Sequence, residues 1–237
     1  DLDSMARHVL IGMLGSSAWD RGPHCTPGQN CSFLLYQRDA TSSEHDELAR
    51  EVARSGAILL KNENGALPLR RGMQVALVGS ACSADFAEPW QQWNTGDYYT
   101  IGGSGRVLAE SQDRWDVERG LSEAKDRGEI SELVVRRGDD VDDAIDAMRN
   151  VDVVIACGGA RSTEGTDRAS LELDQHEFLV NLARRRSEVD DRELPPLVTV
   201  ALAPGAIMTR EWEAGSNSIL LVFLSGQATG LKRHLLM

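Results

Sequence analysis

The sequence predicts an α/β fold, an open and mostly parallel sheet sandwiched by helices, and three observations carry that expectation. Short apolar runs recur along the chain at residues 74–78, 133–136, 151–157, 197–203 and 219–224, and several are nearly continuous. Such runs suit strands buried on both faces, as in a parallel sheet covered by helices. Helical spacing of apolar residues returns between them, at 141–149 and 175–184. The segments just after the strands are rich in glycine and small polar residues, where open parallel sheets usually bind their ligands.

At the amino end, Ser4 is placed to cap a helix whose apolar residues Met5, Val9, Leu10, Met13 and Leu14 recur every three or four positions. Residues 15–41 lose that periodicity and gain turn formers, which predicts a linker or wrapping loop and a boundary near residue 43. From Glu44 to Asn62 the spacing of Leu48, Val52, Gly56, Leu59 and Leu60 predicts a second helix packed against the sheet. Residues 81–118 fit neither period. They are rich in Trp, Gly, Asp and Tyr, and a loop of that length in a compact domain is usually functional. Residues 187–196 read as a polar surface insertion.

The 237 residues carry 41% hydrophobic content and a formal charge of -12, with both signs mixed along the chain. No basic surface for phosphates is suggested, so nucleic acid is excluded as a partner. The longest apolar runs are far shorter than the roughly 20 residues of a bilayer helix, so no membrane span is expected. No secretory leader is visible at the start of the sequence.

Of four cysteines, Cys25 and Cys31 lie in a Gly- and Pro-rich stretch whose spacing permits a small looped disulfide. Cys82 and Cys157 follow or end apolar runs and read as buried small hydrophobes. A zinc site on His24, Cys25 and Cys31 lacks a second ligand pair, and no motif asks for a metal or an organic cofactor.

The most informative strand exit is residues 158–168, where Glu164 sits between small residues with Asp167 and Arg168 just beyond. A carboxyl in a glycine-flanked loop can be presented to a ligand, and an arginine fork can grip a carboxylate or sugar hydroxyls. A solvated loop with a surface ion pair satisfies the same residues. The Gly102-Gly103-Ser104-Gly105-Arg106 segment lacks the spacing of a dinucleotide fingerprint and the closing glycine of a serine-hydrolase elbow.

Five motifs in order resemble glycoside hydrolase family 3, in the second domain of β-glucosidase-like members. They are Leu59-Leu60-Lys61-Asn62 with Leu67-Pro68-Leu69, Val75-Ala76-Leu77-Val78-Gly79, Gly96-Asp97-Tyr98-Tyr99 with Gly102-Gly103-Ser104-Gly105-Arg106, Ser162-Thr163-Glu164-Gly165-Thr166-Asp167-Arg168, and Ser225-Gly226-Gln227. The resemblance implies that residues 44–237 form that α/β-sandwich domain and residues 1–43 its link from a missing (β/α)-barrel. It implies a retaining, exo-acting β-glycosidase in which an Asp of the barrel is the nucleophile and Glu164 the acid/base.

The family's aromatic loop lies near the mouth of the active site, so Trp93, Tyr98, Tyr99, Ser104 and Arg106 are candidates for sugar contact, against loop packing as the other reading. Asp167 and Arg168 are expected to shape the acid/base loop through a salt bridge rather than to touch sugar. The implied partners are a carbohydrate substrate and the barrel, with an extracellular or vacuolar setting. Family members continue past the Gly-Gln motif, whereas Gly230 is followed only by residues 231–237, so a domain truncated at its C-terminal end is expected. A carbohydrate- or protein-binding domain without catalysis, or a fragment inactive alone, is the alternative.

Overall fold

Parallel strands that are apolar along their whole length need cover on both faces, and the computed structural model supplies it. The structure describes residues 1–16, 42–83, 96–106, 115–188 and 194–223, which fall into two units divided after Ser42.

The first unit contributes helix α1 (Leu2–Gly15). Its cap is Asp1 rather than Ser4: the Asp1 carboxylate accepts the Ser4 N–H at 2.9 Å, so Ser4 lies inside the first turn as the donor. Every residue of α1 is exposed.

The second unit is built on six strands. These are β1 (Ala57–Asn62), β2 (Gln74–Val78), β3 (Glu132–Arg136), β4 (Val153–Gly159), β5 (Leu197–Ala203) and β6 (Ser218–Phe223), in the spatial order β1-β6-β5-β4-β2-β3. All neighbouring pairs are parallel except β1 with β6. All seven residues of β4 and all seven of β5 are buried, as their largely apolar composition requires, and Thr199 in β5 is bonded to the Ser216 hydroxyl.

Alternate residues divide between two layers. Val75, Leu77, Val153, Ile155, Val198 and Val200 belong to one core, to which helix α3 (Val117–Asp126) contributes Val117, Leu121 and Ala124. Ala76, Val78, Val154, Ala156 and Ala201 face α4 (Val141–Ala147) and α5 (His176–Ser187), through Ala144, Phe178, Leu179 and Leu182. Small alanines on the second face let two helices approach closely. Asp116 and Asp140 cap α3 and α4 by accepting the N–H of Arg119 and Asp143.

Two expectations are corrected here. The helix anticipated over 44–62 is helix α2 (Ser43–Ser55) followed by strand β1, and α2 buries none of its residues. Residues 57–62 instead pair antiparallel with β6, Ile58 opposite Leu221 and Leu59 opposite Leu220. A ladder to a strand some 160 residues away outweighs local helical spacing. Asn62 then locks the turn: its Oδ1 accepts the Leu67 N–H at 3.1 Å, and its amide donates to the Leu67 carbonyl at 2.9 Å. The second correction is α3, which begins inside a stretch read as loop.

Cys82 and Cys157 are likewise not independent. They form a disulfide with Cα atoms 5.0 Å apart, joining the 3₁₀ turn after β2 to β4. The parallel pairing of Val78 with Ala156 brings the two thiols together. Cys25 and Cys31 lie outside the described residues, as does the chain end to which the truncation expectation applied.

Candidate active site

After β2 the chain moves outward to β3 and returns on the other side of β2 as β4. Connections therefore diverge at the β2–β4 pair, the place where open parallel sheets form a crevice beyond their carboxyl ends. Two loops meet there, residues 96–106 and the β4 exit at 160–174.

The base of the crevice is a polar clasp centred on Gln175. This residue occupies the N-cap position of α5 yet makes no capping bond. Its Oε1 accepts the Gly159 N–H at 2.8 Å, and its amide donates to Ser80 Oγ at 3.0 Å and Tyr98 Oη at 2.8 Å. Ser80 in turn donates to Asp139 through both its N–H and its hydroxyl, at 2.7 Å each. Exits of β2, β3 and β4 and the aromatic loop are thus tied together. Nothing in the sequence flagged Gln175, because its partners are known only once the strand order is.

Tyr98 is half-buried, its ring lying directly over Gly159, where an added Cβ would come 2.3 Å from Cδ1. The Arg161 guanidinium stands 5.6 Å from the ring centroid and pairs with Asp174 at 2.8 Å. Burial pushes the Tyr98 phenol above its ordinary range, against the opposing hydrogen bond from Gln175.

Tyr99, expected as a possible sugar contact, is corrected to a core residue. Its ring is fully buried, its hydroxyl faces the carbonyls of Ala81 at 3.0 Å and Cys82 at 3.1 Å, and it accepts the Val117 N–H. No ring face is left for a sugar, and burial holds its phenol well above the usual value.

Arg106 is corrected in the same way. Its side chain is 1% exposed and its guanidinium stands 3.5 Å from the Asp97 carboxylate, itself 7% exposed. Asp97 also accepts the N–H groups of Tyr99 and Thr100 at 2.7 Å. The pair braces the loop from inside, with little of either side chain exposed.

The tip of the crevice is different. Glu164 is exposed, and its Oε2 accepts from Ser104 twice, from the main-chain N–H at 2.7 Å and from the hydroxyl. The backbones are joined as well: Gly102 N–H donates to the Ser162 carbonyl at 2.8 Å, and Glu164 N–H donates to the Gly102 carbonyl at 3.3 Å. Gly103 makes the approach possible. At φ +93° any Cβ there would lie 2.4 Å from the Glu164 Cβ. Hydrogen bonds from the Ser104 hydroxyl first, and from its N–H second, hold the Glu164 carboxyl below the usual glutamate value.

The expected Asp167–Arg168 salt bridge is not formed. Arg168 donates to the carbonyls of Ala206 at 3.2 Å and Glu172 at 2.8 Å, pinning the β4 exit loop to the β5 exit, and Asp167 is exposed. Carbonyls satisfy the guanidinium fork without help from the neighbouring carboxylate. A hollow of about 380 Å³ lies beside it, lined by Thr163, Thr166, Asp167, Arg168 and Gly205 among others. Trp93 lies outside the described residues. Among the described residues no group of three or more His, Cys, Asp or Glu side chains gathers as a metal site.

Residues 57–233 match the model of the glycosyl hydrolase family 3 C-terminal domain. The chain belongs to glycoside hydrolase family 3. It is 26% identical over 208 residues to thermostable β-glucosidase B of Acetivibrio thermocellus, a match covering 82% of this chain and 24% of that protein. A shorter stretch of 84 residues is 38% identical to β-glucosidase cel3A of Pyricularia oryzae, covering 35% of this chain and 10% of the relative. Among solved structures, a family 3 β-glucosidase from Neurospora crassa superposes with a TM-score of 0.66 at 20% identity, over 81% of this chain and 23% of that one. The fold is therefore that of the family's C-terminal domain. The chain spans about a quarter of the β-glucosidases it matches along most of its length.

Proposed function

We propose that this domain supplies the acid/base carboxylate, Glu164, to a retaining β-glycosidase of β-glucosidase type, the nucleophile coming from a (β/α)-barrel outside these residues. The observation that supports this reading most is a solvent-facing carboxylate held at the carboxyl ends of β2 and β4 by a braced loop. In the first step the protonated carboxyl would give its proton to the departing glycosidic oxygen as the nucleophile bonds to the anomeric carbon. In the second, the carboxylate would take a proton from water as that water's oxygen displaces the nucleophile. Retaining pairs stand roughly 5–5.5 Å apart, so the loop carrying Glu164 has to reach a partner surface, and exposure suits it to that.

The test joins this chain to a family barrel domain and follows hydrolysis of an aryl β-glucoside. Glu164→Gly is expected to lower kcat by roughly 10²–10⁴-fold, with azide restoring turnover of an activated substrate as the glycosyl azide. A parent enzyme that hydrolyses while Glu164→Gly retains full activity would reject the assignment and favour a carbohydrate- or protein-binding role. The chain alone is expected to be inactive.

A further inference from the structure

If Glu164 is the acid/base proposed above, its neighbour Ser104 acquires a role in the same reaction. We propose that Ser104 is the positioning residue of Glu164, gripping one carboxylate oxygen with two donors so that the side chain is stationed for the proton-accepting half of the reaction.

The geometry is specific. Both donors of Ser104 converge on Oε2, which leaves Oε1 free of that grip. The serine is delivered by a segment that cannot drift, since Gly102 and Glu164 are bonded main chain to main chain and Gly103 leaves no space for a side chain. Other charged groups on the surrounding loops are engaged elsewhere: Arg161 with Asp174, Arg106 with Asp97, and Arg168 with two carbonyls. Asp167, three residues on, makes no ion pair or hydrogen bond with Glu164. Ser104 is thus the polar side chain that acts on this carboxylate among the described residues.

Donors aimed at the charged form favour it over the protonated form. The grip therefore suits the second step, in which Glu164 must be ionised, and the acid form needed in the first step requires it to loosen. A sugar contact, the role the sequence suggested for Ser104, would leave Glu164 insensitive to the hydroxyl.

Two measurements test this. In the present chain, carboxyl-carbon NMR should place the titration midpoint of Glu164 below the ordinary glutamate range. Ser104→Ala should move it upward, and Ser104→Thr should bring it back down. In the enzyme joined to a barrel, Ser104→Ala should lower kcat by about tenfold for an aryl glucoside with a good leaving group, whose slow step needs the base. Azide should rescue that loss, while an alkyl glucoside limited by the first step should be spared. An unmoved midpoint in Ser104→Ala, or equal losses on both substrates, would overturn the proposal. A midpoint that moves while Glu164→Gly stays fully active would instead refute the acid/base reading and leave the contact between the two residues intact.

Discussion

The base and the tip of the crevice hold the same kinds of residue under opposite conditions. At the base, Tyr99, Asp97 and Gln175 are enclosed and bonded from several directions, and Arg106 is buried against Asp97. At the tip, Glu164 stands in solvent and its carboxylate is held by one serine. Buried polar groups cost free energy unless all their partners are present, so they act as fasteners. An exposed carboxylate with one adjustable neighbour can exchange protons. The difference teaches that the aromatic and basic residues of the 96–106 loop chiefly build the platform, and that the carboxylate proposed as the acid/base is one left facing solvent.

That contrast can be broken by changes at the base that alter stability, with little expected from the tip. The largest effect should come from the disulfide, which closes a loop of 75 residues. Chain-entropy reasoning gives about 4 kcal/mol for such a link. Urea unfolding of the oxidised chain against Cys82→Ala with Cys157→Ala should show a clear fall in midpoint. Equal midpoints would mean that the β2–β4 pairing alone fixes the base.

Gln175→Ala should come next, at about 1–3 kcal/mol, since it strips a buried N–H of its acceptor and two hydroxyls of their donor. Thermal melting checks it, and near-ultraviolet circular dichroism should report loosening around Tyr98. At the tip, Glu164→Gln should stay within about 0.5 kcal/mol of the parent, the range for exposed sites. A melting loss as large as that of Gln175→Ala would erase the distinction between buried fastener and solvent-facing carboxylate.

The smallest effect is a pH dependence. Partial burial pushes the Glu118 carboxyl up, but hydrogen bonds from Arg137 and Ser83, with the Arg137 charge, outweigh it and leave the group lowered. A lowered carboxyl contributes stability above its unfolded value, near 4.5, and loses it as pH falls through the lower folded value. Because Arg137 is 71% exposed, the contribution should be no more than about 0.3 kcal/mol. Melting of the parent and Glu118→Gln should therefore converge under acid conditions and diverge toward neutrality.

The central strands were legible in the sequence because burial on both faces removes all ambiguity of pattern, as in β4 and β5. The β1 strand was not, since Leu48, Val52 and Leu59 satisfy a helical period and the true partner lies in β6. Helix α3 had its signal in Asp116, Val117, Leu121 and Ala124, but it was hidden by the loop-like composition before it. Glu164 stood out as a carboxylate between small residues at a strand exit. Tyr99 and Arg106 were misjudged because composition reveals that a ring or a guanidinium is present and says nothing of the direction it faces.

The three bonds of Gln175 also limit how its position can diverge in sequence. The position demands an acceptor toward Gly159 and two donors toward hydroxyl oxygens, all from a side chain of fixed reach. Glutamate has no donor, lysine has no acceptor, and asparagine is one methylene short. A polar residue at the carboxyl end of the sheet is thereby held to a narrower alphabet than the leucines beneath it, which can trade places with other apolar side chains of similar volume.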